Sequence, residues 1–520
     1  MPNFIPYDPS QSKMVVINYA DQLQPGTFEF AINHIIEHKL DLTIFHPRYK
    51  NEDEGRPAYD PAILLKIILF AYSKGITSSR EIQWCCETNV IFKALSCDTV
   101  PHFTTLANFV SGRSEEIEVV FEQILLICDE QGLLGKELFA IDGCKMPSNA
   151  AKEWSGTLKE LEQKREKLQR QIQHHMNEHK KLDSTASRDD ARRGRIQQTI
   201  ETLNHAHAKV DQFLKTAQPR AGKGKQNKEV KSNITDNESA KMTTSKGTIQ
   251  GYTGVATVDK KHQIIVDAQA FGEGQEHHVL QPVLNTVRER FSRFGRNVKD
   301  TIITADTGYA NEANMKYLHD NRIDGYIPDN QFRSRDPKFK DYKTTHSTRP
   351  ATTMQESISD TLIPANEFQF DPVSKTCVCP AGEDMWLRSE REDLNGNNKI
   401  FFEGRLTKCR VCDLKDRCMR HPDAANTRKG HGRQVSFILE KGQHTPNYTN
   451  WMKQRIDSEH GKHIYSHRMS VVEPVFANIG MNKGLRRFSL RGKKKVQGQW
   501  QLYCLVHNIE KLKNYGALAA

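Results

Sequence analysis

Apolar residues in the first 132 positions recur every three to four residues, the spacing of amphipathic helices joined by short turns. Asp60 followed by Pro61 opens one such helix. The carboxylate can accept from an unpaired N–H of the first turn, and proline has no N–H to leave unpaired there. The apolar run Ile63 to Tyr72 follows, and Gly75 supplies the left-handed backbone of a helix stop. Ser78-Ser-Arg-Glu81 has the form of a capping box and predicts a second helix through Trp84 and Cys85. Two helices about a short turn fit a helix-turn-helix and a plain bundle equally well. Further helix is predicted around Thr105–Val110 and Glu115–Gly132.

The period then changes. Leu138-Phe-Ala-Ile141 is wholly apolar and closes on Asp142-Gly143, the pattern of a short buried strand. From Ser155 to Thr216 the chain is highly charged and helical. Ile196, Ile200, Leu203, His207, Val210 and Leu214 alternate steps of four and three, as in a coiled-coil seam. Leu158, Leu161, Leu168 and Ile172 form a looser seam before a turn at Ser184–Asp190, so an antiparallel helical hairpin is predicted, then a linker at Gln218–Lys231. Strands are expected at Gln250–Val258 and Gln263–Ala270, a helix at Val279–Phe291, and a buried strand at Thr301–Ala305 closed by Asp306-Thr-Gly308. Helix Asn311–Asn321 and strand Asp324–Pro328 follow. Without the hairpin the order is three strands, helix, strand, helix, strand, which is that of a ribonuclease H-like α/β domain. Gln331–Ile363 reads as a polar loop, and Met469–Lys513 as helix interrupted by a basic turn. Because proline is tolerated only in a first helical turn, Pro474 predicts a helix start near Ser470.

A length of 520 residues suits two to four domains. The expected division is residues 1–132, helical and DNA-binding; 133–150 with 228–330 and 455–520, the α/β core; 151–227, the hairpin and linker; and 331–454, a small Cys-containing insertion. Lys and Arg number 75 against 64 Asp and Glu, a net charge of +11 concentrated in Lys152–Lys246 and Lys483–Lys495. That balance favours an anionic polymer as partner. No apolar run approaches the roughly 20 residues that span a bilayer, and the amino terminus lacks the pattern of a signal peptide. Eleven cysteines, five of them within Cys377–Cys418, suit a reducing cytoplasm and one local thiol or metal cluster.

Asp142 and Asp306 each follow a buried apolar strand. If those strands are parallel neighbours, both carboxylates emerge at one sheet edge, where they repel unless a divalent cation neutralises them. Mg²⁺ or Mn²⁺ held there could grip a scissile phosphate; the alternative is that each aspartate caps a turn. Glu473 offers a third carboxylate, although Ser470-Val-Val-Glu473 fits a capping box equally well. Cys377-Val-Cys379, Cys409-x-x-Cys412 and Cys418 have spacings of a structural Zn²⁺ knuckle, with one thiol to spare and His421 as another candidate; unligated or redox-active thiols are the alternatives. The pairs His174-His175 and His277-His278 read as solvated or capping residues, and Trp500 as core.

Three stretches then gain meaning together: Phe139-Ala-Ile-Asp142-Gly, Ile303-Thr-Ala-Asp306-Thr-Gly-Tyr309, and Tyr465-Ser-His-Arg468-Met-Ser-Val-Val-Glu473-Pro-Val-Phe476. With Gly55-Arg-Pro57, Ser79-Arg80, Leu490-Arg-Gly492 and His507-Asn508, they make the chain similar to the DDE transposases of bacterial insertion sequences. The resemblance implies an enzyme with a ribonuclease H-like α/β catalytic core and an insertion where the small Cys-containing segment stands, to which the residue pattern adds an all-helical N-terminal domain and an inserted helical hairpin. It implies cut-and-paste movement of DNA, in which metal-activated water cuts at the element's ends and the freed 3′ ends are joined to target DNA. Asp142, Asp306 and Glu473 would be the Mg²⁺ or Mn²⁺ ligands, and Tyr465 and Arg468 would contact phosphate. Four residues rather than three separate Arg468 from Glu473, and Gly480 stands where a basic residue is expected, with Lys483 nearest. Arg486, Arg487, Arg491, Lys493, Lys494 and Lys495 complete the DNA-binding candidates, and Asp236 reads as structural. The implied partners are double-stranded DNA (terminal repeats and target) and a second copy in a synaptic homodimer, in the nucleoid-associated cytoplasm of a bacterium and without a membrane. A nuclease of the same fold without strand transfer, and a silent DNA-binding protein, are the alternatives.

Overall fold

The amino-terminal apolar stripes close on one another as α1 (Phe28–His38), α2 (Pro61–Ser73), α3 (Ser79–Thr88), α4 (Val90–Ser96), α5 (Phe103–Gly112) and α6 (Ser114–Glu130). The computed structural model describes residues 14, 16–49, 57–184, 190–222, 229–245, 247–339, 362–392, 397–427, 430–440 and 447–517. Gly55 and Arg56, the tip of the hairpin, and parts of the linker and of the polar loop lie outside these residues. Asp60 caps α2 as its sequence predicts, accepting from the Ala62 N–H at 2.7 Å. Ser78 stands at the N-cap of α3 but makes no side-chain capping bond. Burial of Ile82, Cys85 and Cys86 anchors that helix instead.

The described chain divides into two units, Met1–Pro328 with Ser458–Ala520, and Asp329–Asp457. The first unit holds a mixed sheet of β1 (Leu138–Pro147), β2 (Ala240–Thr244), β3 (Gly247–Asp259), β4 (Ile265–Phe271), β5 (Ile302–Ala305) and β6 (Gly325–Tyr326). Its order is β6-β5-β1-β3, with β2 and β4 both pairing β3. β5 runs parallel to β1 and to β6, whereas β3 is antiparallel to β1, β2 and β4. Two details differ from expectation. β1 continues to Pro147, past Ile141, because the long β3 pairs with it as far as Gly251, whereas the four-residue β5 stops at Ala305. β2 is an extra strand, too short for its alternation to stand out in the sequence.

The charged insertion is the predicted hairpin, α7 (Leu158–Ser184) and α8 (Asp190–Thr216), with Leu161, Leu168, Ile196, Ile200 and Val210 buried along it. α9 (Leu280–Arg293) and α10 (Glu312–Asp320) follow β4 and β5. On α9, Arg290 is buried and its guanidinium meets Asp267 of β4 at 2.5 Å and Glu122 of α6 at 3.2 Å.

α11 (Glu459–Ala477) corrects the reading of Pro474. Ser458 caps it, accepting from the Gly461 N–H at 3.0 Å, so Pro474 falls near the carboxyl end rather than in the first turn. The capping box at Ser470 is therefore not formed; the Ser470 hydroxyl donates to the His467 carbonyl instead. A proline inside a helix deprives the carbonyl four residues earlier of its donor. Here that carbonyl, Ser470 O, accepts from Gln263 Nε2 at 3.0 Å. A π-helical turn, Asn478–Asn482, follows.

α12 (Lys493–Tyr515) is buried almost continuously from Val496 to Ile509, and Trp500 in its middle donates Nε1–H to the Val255 carbonyl at 3.0 Å. It packs on α6, α2 and β4, so the amino-terminal helices and the sheet share one core. Its side-chain amides act on β4 as a partner strand would. Gln497 accepts from the Ala270 N–H (2.6 Å) and donates to the Ala268 carbonyl (2.7 Å). Asn508 accepts from the Ile265 N–H and donates to its carbonyl, both at 2.8 Å.

The second unit is built on an antiparallel sheet where the sequence suggests only a cysteine cluster. β7 (Gln369–Asp371), β8 (Thr376–Val378), β9 (Asp384–Glu392), β10 (Asn398–Gly404) and β11 (Gln434–Glu440) lie in sequential order. Ile363, Phe368, Cys377, Met385, Ile400, Phe402 and Val435 form its core.

Candidate active site

Parallel register sets the site. Ile141 of β1 stands opposite Ala305 of β5, so the next residue of each strand, Asp142 and Asp306, leaves the sheet at the same edge. Asp142 accepts from the Gly143 N–H at 2.8 Å, and its other oxygen meets Arg468 of α11 at 2.8 Å. Burial raises the Asp142 pKa above the ordinary carboxylate range and Asp306 adds to the rise, while Arg468 and the Gly143 N–H pull it back. The Arg468 side chain is 9 % exposed and that of Asp142 22 %, so the pair is largely shielded from solvent.

A third carboxylate stands here that the sequence reading did not single out. Glu276 begins the single turn Glu276–His278 between β4 and α9. Its pKa is raised by burial and by the negative charges of Asp142 and Asp306, against the pull of Lys145, whose ammonium lies 3.7 Å away. Gly308 makes room for it, because a Cβ there would collide with the Glu276 carboxylate. Tyr309 is fully buried beside the same charges, its hydroxyl close under Gly143. In the sequence only position betrays Glu276, an acid just after β4 and before α9. The adjacent His277 acts through its carbonyl, which accepts from Asn311 and Asn314.

Glu473 is exposed on α11. It stands five residues beyond Arg468, about 140° round the helix and about 7.5 Å along it. With Arg468 turned to Asp142, the same helix face cannot also present Glu473 there. Among the described residues, no group of three or more His, Cys, Asp or Glu side chains is placed to hold a metal ion.

The basic candidates divide. Lys483 is buried with its ammonium on Glu510, and Tyr465 is half-buried beside Arg468. Arg487 and Arg491 bind the carbonyls of Ser148 and Asn149, at 3.2 and 2.7 Å, and so brace the loop after β1. Lys494 meets Glu115 at 2.6 Å. Arg486, Lys493 and Lys495 are exposed. Asp236 is buried and accepts from the Tyr252 hydroxyl at 2.8 Å, a packing role. In the second unit Cys377 faces the core, whereas Cys379, Cys409, Cys412 and Cys418 line one cavity. His421 is exposed.

No helix among the described residues is long and apolar enough to cross a membrane. No curated protein and no solved structure matches the chain. Two family models do. The transposase domain DUF772 matches residues 17–112, which span α1 to α5. The transposase DDE domain matches residues 378–513, which include Arg468 and Glu473 but neither Asp142 nor Asp306. A DDE domain implies a ribonuclease H-like fold, a DNA partner and general use of divalent metal. Taken together, the two matches indicate an insertion-sequence DDE transposase.

Proposed function

We propose that the protein binds the terminal repeats of its element as double-stranded DNA, cleaves phosphodiester bonds there with Mg²⁺ or Mn²⁺, and joins the 3′ ends to target DNA, two copies acting at the paired ends. The observation that carries this reading is the register of β1 on β5, which delivers two carboxylates to one edge. Asp142, Asp306 and Glu276 make a fit for a divalent cation, because their mutual repulsion and burial leave a local excess of negative charge. Such an ion, when bound, lowers the pKa of a water nucleophile and stabilises charge on the phosphate. The chain's own residues do the rest. Asp142 and Asp306 fix where the reacting phosphate sits, and Arg468 keeps Asp142 oriented while bringing positive charge to that edge. Support for a nucleic-acid partner comes from an open cleft of about 1190 Å³ lined by Arg220, Lys231, Lys241 and Lys493 against Glu238 and Glu273, a net positive lining, which reaches His278 beside Glu276.

Glu473 joins the two aspartates, on this reading, when α11 turns on binding DNA; in that state Arg468 passes from Asp142 to a phosphate. The test is cleavage and end-joining by single variants. Asp142→Asn and Asp306→Asn should each abolish metal-dependent cleavage while end binding persists. Near-normal cleavage by either would refute the assignment, and cutting without joining would identify a nuclease. Glu473→Gln should be as inactive as the aspartate variants. If it cuts normally and Glu276→Gln does not, the third place belongs to Glu276.

A further inference from the structure

The second unit holds a cluster of thiols with no part in the chemistry above. Five cysteines fall between β8 and the segment after β10, and the fold sorts them. Cys377 lies in β8, is 1 % exposed and packs in the sheet core, its sulfur 3.8 Å from that of Met385. Cys379 comes just past the strand and starts a tight turn in which the Gly382 N–H donates to the Cys379 carbonyl (2.8 Å) and the Cys379 N–H to the Glu383 carbonyl (2.9 Å). Gly382 has φ +77°, so the turn bends sharply about the thiol. Across from it, Cys409 sits on the short helix Leu406–Arg410, Cys412 just beyond, and Cys418 at the end of the helix Lys415–Cys418.

These four cysteines line one cavity of about 40 Å³, as do Gly404 and Arg433. A site of that size suits a single small ion better than an organic ligand. The backbone has been drawn in around Cys409, since a Cβ at Gly404 would lie 2.7 Å from its sulfur and one at Gly432 3.2 Å. All eleven cysteines of the chain are free thiols.

We propose that Cys379, Cys409, Cys412 and Cys418 hold one structural zinc ion that ties the β8–β9 turn to the two short helices after β10, and that Cys377 takes no part. Four thiolates complete a closed tetrahedral site, which leaves no open position for catalysis. As they stand the four side chains are not placed to hold an ion; they would have to close on the cavity to reach a zinc–sulfur distance near 2.3 Å, and binding would release the thiol protons to solvent. The ion thus serves a sheet whose apolar core is small.

The test uses the full-length protein, purified without chelator and washed with excess Mg²⁺. Elemental analysis should find one zinc per chain in the wild type, in Cys377→Ser and in the double variant Asp142→Asn/Asp306→Asn. Cys379→Ser and Cys412→Ser should fall to background. Should those serine variants fail to fold, exchange of the wild type into Co²⁺ supplies a second readout, the visible bands of a tetrahedral cobalt thiolate. Wild-type protein that holds no zinc and shows no such bands overturns the proposal. So does loss of zinc from Cys377→Ser, or from the aspartate variant alone.

Discussion

At Asp142 and Glu276, burial and neighbouring negative charge both work against ionisation, and this has a consequence for stability as well as chemistry. A carboxyl whose pKa is higher in the folded chain than in the unfolded one keeps its proton longer when folded. The fold therefore loses stability as pH rises from the unfolded value, about 4.3 for glutamate, through the raised folded value, and loses no more above it. Glu276→Gln removes that dependence. In the presence of a chelator, the variant's melting temperature relative to wild type should climb as pH is raised from about 4 to about 7. Parallel melting curves across that range would mean that Glu276 ionises as freely as a solvated acid. With saturating Mg²⁺ the wild type should recover the difference, because a bound cation favours the charged form.

Among the elements, α11 shows how one residue misleads when read alone. Pro474 argues for a helix beginning near Ser470, yet the Ser458 cap starts the helix three turns earlier. Gln263, which lies in the β3–β4 turn, supplies the missing donor to Ser470 O. Gln263→Asn, too short to reach, should cost about 1 kcal/mol, the net value of a single hydrogen bond. Pro474→Ala restores a helical N–H to the same carbonyl, so the double variant should lose less than the single one; this is measurable by urea denaturation. Additive losses would show that Gln263 acts elsewhere, for instance through Lys511, which donates to its side chain. The same contrast explains what could be read in advance. Period and turn chemistry foretold α2, the hairpin, β1, β3, β4 and β5, because each carries its own apolar pattern. The pairing of Asp142 with Asp306 was legible because it needs only two strands to be parallel neighbours. Glu276, Gln263 and the β7–β11 sheet were not, since their roles depend on contacts between segments far apart in the chain or on short strands with weak alternation.

For the molecule as a whole, the segment Lys493–Tyr515 decides what can stand alone. The sequence divides at residue 132 into helices and α/β core, but α12 lies in contact with α1, α2, α5 and α6 as well as β4, and its middle is buried on all sides. A chain lacking residues 1–132 should accordingly fail to give dispersed amide resonances, with α12 stripped of half its packing. Recovery of a cooperatively melting fragment would show the two halves to be independent. The amides of Gln497 and Asn508 carry one more implication. They occupy backbone donors and acceptors of β4 that would otherwise be available for pairing with a strand from another molecule. Strand addition is thus blocked along that margin, and any two copies brought together at paired DNA ends must meet there through helices and side chains, an association that can be made and undone without reopening the sheet.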